Sequence, residues 1–182
     1  NFDLENGLLS DESSPVNFNI TVSSLRHINE DEPNDSPETA TELTIPIIVD
    51  GIARFNDPAD LIIQFNDGTT EKLHDLFFLD LENDTALTIT LGFLPTGDLD
   101  LFILQEDADG NLAVVASSTR DQTIIEQLSG TLKAGEYIIA VGAFAGNSGY
   151  LLTLTQGAAL NELGSPVSFG VRHPALVERK KN

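Results

Sequence analysis

The chain has no cysteine, no methionine and no tryptophan, and only two tyrosines in 182 residues. Without Cys there is no disulfide framework, no thiolate metal site and no thiol nucleophile. A cysteine-free chain suits bacterial export, where oxidation is a hazard. Without Met there is no initiator, which makes a processed product or an excised fragment the expectation. Without Trp there is no indole platform on which a polysaccharide could stack. Basic residues are also scarce: Lys+Arg 9 against Asp+Glu 29 gives a net charge of −20. Such a surface repels the phosphates of nucleic acids and the headgroups of anionic membranes, so neither is an expected partner. No apolar run approaches the ~18–20 residues of a membrane span. Residues Asn1–Ser10 do not read as a signal peptide, so any export signal is expected to have been removed or to lie outside the sequence.

What is present is enough apolar material for a core, 41% of residues. A chain of this length fits one ordinary domain with flanking segments. The acidity supports two readings: solubility, or carboxylates placed to hold divalent cations.

Apolar and polar residues alternate in short runs. Val16–Val22 alternates at period two, as a strand does with one face on a core. Residues 29–42 are polar, with Pro33, Pro37 and clustered acids, which excludes a central strand. Ser36-Pro37-Glu38 is suited to capping one short helical turn. Strands are expected at Leu43–Val49 (interrupted by Pro46), Gly51–Phe55, Leu61–Phe65, Leu76–Leu81, Ala86–Phe93, Leu99–Leu104, Leu112–Ala116 and Ile124–Leu132. Tyr137–Phe144 and Tyr150–Thr155 read as a hairpin around Gly146-Asn147-Ser148-Gly149. Turns fall at Asn66-Asp67-Gly68, Glu82-Asn83-Asp84, Asp109-Gly110-Asn111 and Ala134-Gly135-Glu136. Eight to ten brief strands without a long amphipathic helix predict an all-β, jelly-roll-like antiparallel β-sandwich. The expected division is a leader with one strand over 1–28, the sandwich over 29–156, and a C-terminal strand and basic tail over 157–182.

Catalytic signals are weak. His27, His74 and His173 are the only histidines. No Ser lies in a Gly-x-Ser-x-Gly turn, and Ser148 reads as a hairpin tip. No phosphate-binding or dinucleotide-binding loop is present. Carboxylate pairs could serve glycoside hydrolysis, but among 29 acids some pair is always close. Oxygen-ligated cations are a better match. Glu30, Glu32 and Asn34 occupy alternate positions, so an extended segment projects all three to one side. The same residues also read as a solvated acidic linker. Asp109-Gly110-Asn111 reads as half an ion loop or as an ordinary turn. Asp98 and Asp100 share a strand face, with Leu99 on the core side and the carboxylates on a solvated edge.

Several segments, taken in order, carry a family resemblance. They are Glu32-Pro33-Asn34-Asp35-Ser36-Pro37-Glu38-Thr39-Ala40, Val49-Asp50-Gly51-Ile52, Asp75-Leu76-Phe77-Phe78-Leu79, Leu87–Leu91 and Asp98–Leu104. Leu132-Lys133-Ala134-Gly135-Glu136-Tyr137-Ile138-Ile139-Ala140-Val141 and Tyr150–Leu154 complete the set. Over about residues 29–156 the chain resembles the bacterial pre-peptidase C-terminal domain, a family that includes the collagen-binding domains of clostridial collagenases. The resemblance implies a jelly-roll-like sandwich appended to secreted hydrolases. It implies a Ca²⁺ site at Glu30, Glu32, Asn34 and Asp75, with Asp67 and Glu71 offered by the loop before Asp75. Lys72 and Leu73 stand where the family often carries a second acid. Collagen binding is not expected: that branch presents exposed tyrosines on one sheet, and here the only two, Tyr137 and Tyr150, read equally as core or face.

The expected function is therefore a non-catalytic accessory module, secreted or on the cell surface, monomeric and not an enzyme. Its expected partner is a parent enzyme or an extracellular polymer, protein or polysaccharide. The alternative is a structural repeat of a surface or adhesive protein. That reading rests on the likeness of Ser14–Ile20 to Ser165–Val171.

Overall fold

The computed structural model describes residues 25–120, 124–157, 167–170 and 174–179. The strand expected at Val16–Val22, the leader before it and His173 lie outside these residues.

The described residues form twelve strands and no helix. Five strands build sheet A: β1 (Arg26–Asn29), β3 (Ile47–Arg54), β6 (Thr85–Phe93), β9 (Ile125–Leu132) and the second half of β10 (Gly135–Gln156). Their order is β1-β3-β10-β6-β9. Sheet B runs β11-β8-β7-β10-β5-β4-β12. Its members are β4 (Leu61–Phe65), β5 (Thr70–Leu81), β7 (Gly97–Glu106), β8 (Leu112–Thr119), β11 (Val167–Gly170), β12 (Pro174–Arg179) and the first half of β10. The two-residue β2 (Thr41–Glu42) pairs with β5. Pairing is antiparallel except at β1–β3, β2–β5 and β11–β8, where it is parallel. The all-β architecture is the one its alternation predicts.

β6 shows why these segments become strands. Leu87, Ile89, Leu91 and Phe93 are buried, while the intervening threonines face outward. There Thr88 Oγ1 lies 3.0 Å from Ser129 Oγ, and Gln127 Nε2 donates to Thr90 Oγ1 at 3.0 Å. Threonine in such a register supplies β-branching and a cross-strand hydrogen bond together.

The main core lies between the sheets. Ile47, Val49, Leu91 and Leu152 of sheet A meet Phe77, Leu79, Leu101 and Ile139 of sheet B. A second core, on the other face of sheet B, contains Leu61, Ile63, Leu73, Leu76, Phe102 and Ile138. Sheet B is thus covered on both sides, which explains its unbroken apolar runs Leu101–Leu104 and Ile138–Val141. β12 pairs with β4 and also approaches β8, so the sheet curls around this second core.

Several elements differ from the sequence reading: β1 was not expected, β5 starts well before Leu76, and two further cases change the architecture. Residues Gly135–Gln156 form one strand, not a hairpin. Its first half pairs with β5 and β7 and its second half with β3 and β6. Register shifts at Val141/Gly142 and Ala143/Ala145, and a positive φ of 72° at Gly146, bend the strand from one sheet into the other. Ser148 is consequently a mid-strand residue. Its Oγ accepts from Leu94 N at 2.9 Å and lies 3.0 Å from Leu94 O. Within the segment expected to hold a C-terminal strand and basic tail, Pro174–Arg179 form β12, which covers the edge that β4 would otherwise present.

Candidate metal centre

The register shift in β10 also decides what β5 offers. Val141 stands opposite Asp75 and Gly142 opposite Leu73, so His74 is an extra residue in the ladder. Leu73 and Leu76 consequently both join the second core, while Phe77 joins the main core. Asp75 has the parity of Phe77 and turns to the side between the sheets, at one end of the main core. It is 2% exposed.

The acidic segment reaches Asp75 from sheet A. β1 lies parallel to β3, and Glu30 N extends the pairing by donating to Asp50 O at 2.8 Å. Both carboxylate oxygens of Glu30 then accept hydrogen bonds, Oε1 from Ile52 N and Oε2 from the Tyr150 hydroxyl, each at 2.7 Å. Tyr150 reaches Glu30 across Gly51, the neighbour of Tyr150 in the β3–β10 register. Two residues on, Glu32 accepts from Asn34 N at 3.2 Å. Asn34 O accepts from Leu76 N at 3.0 Å, and Asp35 O from Asp60 N at 3.1 Å, which ties the segment to β5 and to the chain before β4.

Carboxylate oxygens of Glu30, Glu32 and Asp75 lie within 4.8 Å of one another. Asn34 is fully buried, and neither its amide oxygen nor its amide nitrogen has a hydrogen-bond partner among the described residues. Asp75 Oδ2 is buried in the same condition. Such groups normally find partners, because each lone buried donor or acceptor costs about 1–3 kcal/mol. The electrostatics point the same way. Burial, then repulsion from Glu30, pushes the Asp75 carboxyl up to about 9. Glu32 is raised by burial and by neighbouring Glu30, Asp35 and Asp57, against the Asn34 backbone N–H that lowers it. Asp35 is raised by burial, Asp57 and Asp60. Tyr150 is raised well above its ordinary value by burial and by Asp75 and Glu30, so it remains a neutral donor. The donor set is oxygen only, the chemistry of Ca²⁺ and Mg²⁺ and not of Zn²⁺. An oxygen-seeking cation fits the residues present.

Of the sequence candidates, Glu30, Glu32 and Asp75 converge, and Asn34 is bonded through its backbone to both sides of that group. Asp67 does not join them. It closes its own turn, with Oδ1 accepting from Thr69 N at 2.9 Å and Thr69 Oγ1 at 2.6 Å. Glu71 is buried beside Gly142, where a Cβ would stand 2.2 Å from Glu71 Oε1. Asp109-Gly110-Asn111 is an ordinary turn held by Asp107, whose Oδ1 accepts from the backbone N–H of Asp109 and Asn111, each at 2.9 Å. Asp100 is fully buried and not on a solvated edge, because the second core makes that face of sheet B an interior. His74 is buried too, which holds its imidazole below the ordinary value although the Pro58 carbonyl raises it. His27 Nε2 bonds Asp50 Oδ2 on the surface.

Sequence reasoning missed Tyr150 and Gly51. A glycine inside an apolar strand was the available signal, since it marks a close approach.

No family model and no curated protein matches the chain. Among solved structures it is similar to the pre-peptidase C-terminal domain of a collagenase from Bacillus anthracis. The TM-score is 0.47 and the identity 13%, over 67% of this chain and 100% of that one. It is also similar to a periplasmic inhibitor of g-type lysozyme from Aeromonas hydrophila, with a TM-score of 0.32 and 8% identity, over 73% of this chain and 97% of that one.

Proposed function

We propose that the chain is a non-catalytic accessory module of an exported bacterial protein, ordered by a Ca²⁺ ion held at Glu30, Glu32, Asn34 and Asp75. The observation that carries this reading is the convergence of three carboxylates within 4.8 Å beside a fully buried, unpartnered amide. Without a cation Glu30 and Glu32 repel one another, and Asp75 is held in its protonated form. With one, residues 30–35 are clamped against β5, and binding free energy becomes folding free energy. The module then serves its parent, a secreted hydrolase, by anchoring or assisting it. Export is supported by the acidic, cysteine-free composition. The non-catalytic reading is supported by a buried His74 and by a Ser148 hydroxyl committed to Leu94.

Calorimetric titration of the whole chain with CaCl₂ tests this. One saturable site is expected, with Kd no weaker than about 1 mM, the weak end for extracellular modules. The double variant Glu32→Ala/Asn34→Ala should lose it. Unchanged binding in that variant would place the ion elsewhere, and no binding by the parent chain would remove the cation from the account.

A further inference from the structure

The likeness of Ser14–Ile20 to Ser165–Val171 plays no part in the cation site. Ser, Pro, Val and Phe recur at four of the seven positions, and the rest pair Asn17 with Ser168, Asn19 with Gly170 and Ile20 with Val171. Ser14–Ile20 lies outside the described residues, but its counterpart contains β11, at one edge of sheet B. β11 runs parallel to β8, with Val167 opposite Ala116, Ser168 opposite Ser117, Phe169 opposite Ser118 and Gly170 opposite Thr119. Ala116, Ser117, Ser118 and Thr119 are all fully buried, and Ala116 belongs to the main core. A buried run at the end of a sheet needs a strand beside it to complete its backbone ladder. The N-terminal copy offers the same apolar positions, Val16, Phe18 and Ile20. It also lacks the glycine that weakens β11, and Ile20-Thr21-Val22 carries β-branching onward.

The segment cannot reach this seat in its own chain. Arg26, where β1 begins, stands in one row with Ile47, Leu154, Ile89 and Leu128, so four strand spacings of about 4.8 Å separate it from β9. The seat lies past β9 in the facing sheet, about 10 Å farther. Ser118 bonds Glu126, two residues beyond Leu128, and Ile20 would stand two residues beyond Ser118, which adds roughly 13 Å along the strands. The straight line from Arg26 to that position is therefore about 25 Å and passes through the main core, whereas the six steps from Ile20 to Arg26 span at most about 21 Å. We propose that residues 14–20 seat on β8 of a second copy of the chain, parallel to it and in place of β11. Strand addition of this kind takes its affinity from the main chain and its register from alternate side chains. It joins different surfaces of the two copies, so the association runs head to tail. It does not depend on the cation assigned above, and it replaces the expected monomer with a concentration-dependent assembly.

The test uses the whole chain. In sedimentation equilibrium its weight-average mass should rise with concentration. Phe18→Asp, in the donor segment, should move that rise to at least tenfold higher concentration. Phe169→Asp, in the strand to be displaced, should move it at least tenfold lower. Opposite signs from the same substitution at matched positions separate strand exchange from general adhesion. If Phe169→Asp fails to fold, titration of the ¹⁵N-labelled parent chain with the blocked peptide Ser-Pro-Val-Asn-Phe-Asn-Ile-Thr-Val takes its place, with saturable amide shifts expected at Ala116–Thr119. A constant mass, shifts of one sign in both variants, or peptide shifts that spare β8 would overturn the proposal. Peptide binding by Phe18→Asp but not by the parent chain would also overturn it, by returning the segment to its own chain.

Discussion

A methyl group at position 51 would sit 2.2 Å from Tyr150 Cζ and 2.5 Å from Glu30 Oε2. Glycine is required there by proximity, since the phenol must cross β3 to reach the carboxylate. Gly51→Ala is expected to cost about 1–3 kcal/mol and to weaken cation binding, read as a lower urea midpoint and a weaker calcium titration. A wild-type midpoint would mean that Tyr150 can move aside freely. Asp75 makes a prediction about pH. Its folded value is raised from 3.8 to about 9, so across that window the folded chain holds a proton that the unfolded chain has lost. Stability without metal must therefore fall as pH rises toward about 9. His74, whose value is lowered, acts in the opposite sense below its ordinary 6.5, so the Asp75 slope is cleanest above neutrality. Urea midpoints in chelator should decline from about pH 7 to about pH 9, and saturating Ca²⁺, which displaces the proton, should flatten that decline. A flat profile in chelator would remove Asp75 as its source. At this scale the sequence made Glu30, Glu32 and Asn34 legible, because alternation is a local property. Asp75 came from family likeness alone. Tyr150 could not be read, because nothing local shows which strand lies beside β3. Asp67 was misplaced because an acid in an Asn-Asp-Gly turn bonds its own backbone first.

Among the elements, β10 holds the two sheets in one strand. Gly146 has φ of 72°, and a Cβ there would lie 2.5 Å from Thr96 O. Gly146→Val therefore adds a steric clash to backbone strain of roughly 1–3 kcal/mol. The expected result is a marked drop in melting temperature with loss of amide protection in both halves of β10. Loss in one half alone would show that the halves fold independently. The run Gly146-Asn147-Ser148-Gly149 has hairpin chemistry, yet here it makes a bend, because each half finds different partners in different sheets. Turn residues report local φ and cannot report which strands are adjacent. β5 begins at Thr70, well before the expected Leu76, and β1 was not expected, but several other strands were legible to within a few residues: Leu61–Phe65 matches β4 end to end, and Ala86–Phe93 lacks only Thr85 of β6. Those segments have one buried face and clean punctuation. The parallel edge pairs β1–β3 and β11–β8 were not legible, since they join residues distant in sequence.

For the molecule as a whole, the competition is between two well-formed apolar cores and an excess of like charge. The cores lie between the sheets and within the curl of sheet B, whereas like charges crowd one end, at Glu30, Glu32 and Asp35, where they keep the buried Asp75 protonated. A cation there would relieve that crowding. If it binds only the folded chain, a hundredfold excess over Kd adds about 2.7 kcal/mol, or about 5–10 °C in melting temperature for a chain of this size. The direct measurement is a pair of calorimetric melts of the whole chain at neutral pH, one in millimolar CaCl₂ and one in EDTA. The account predicts the higher transition in calcium, with the difference abolished in Glu32→Ala/Asn34→Ala. Coincident transitions of the parent chain in the two buffers would contradict it.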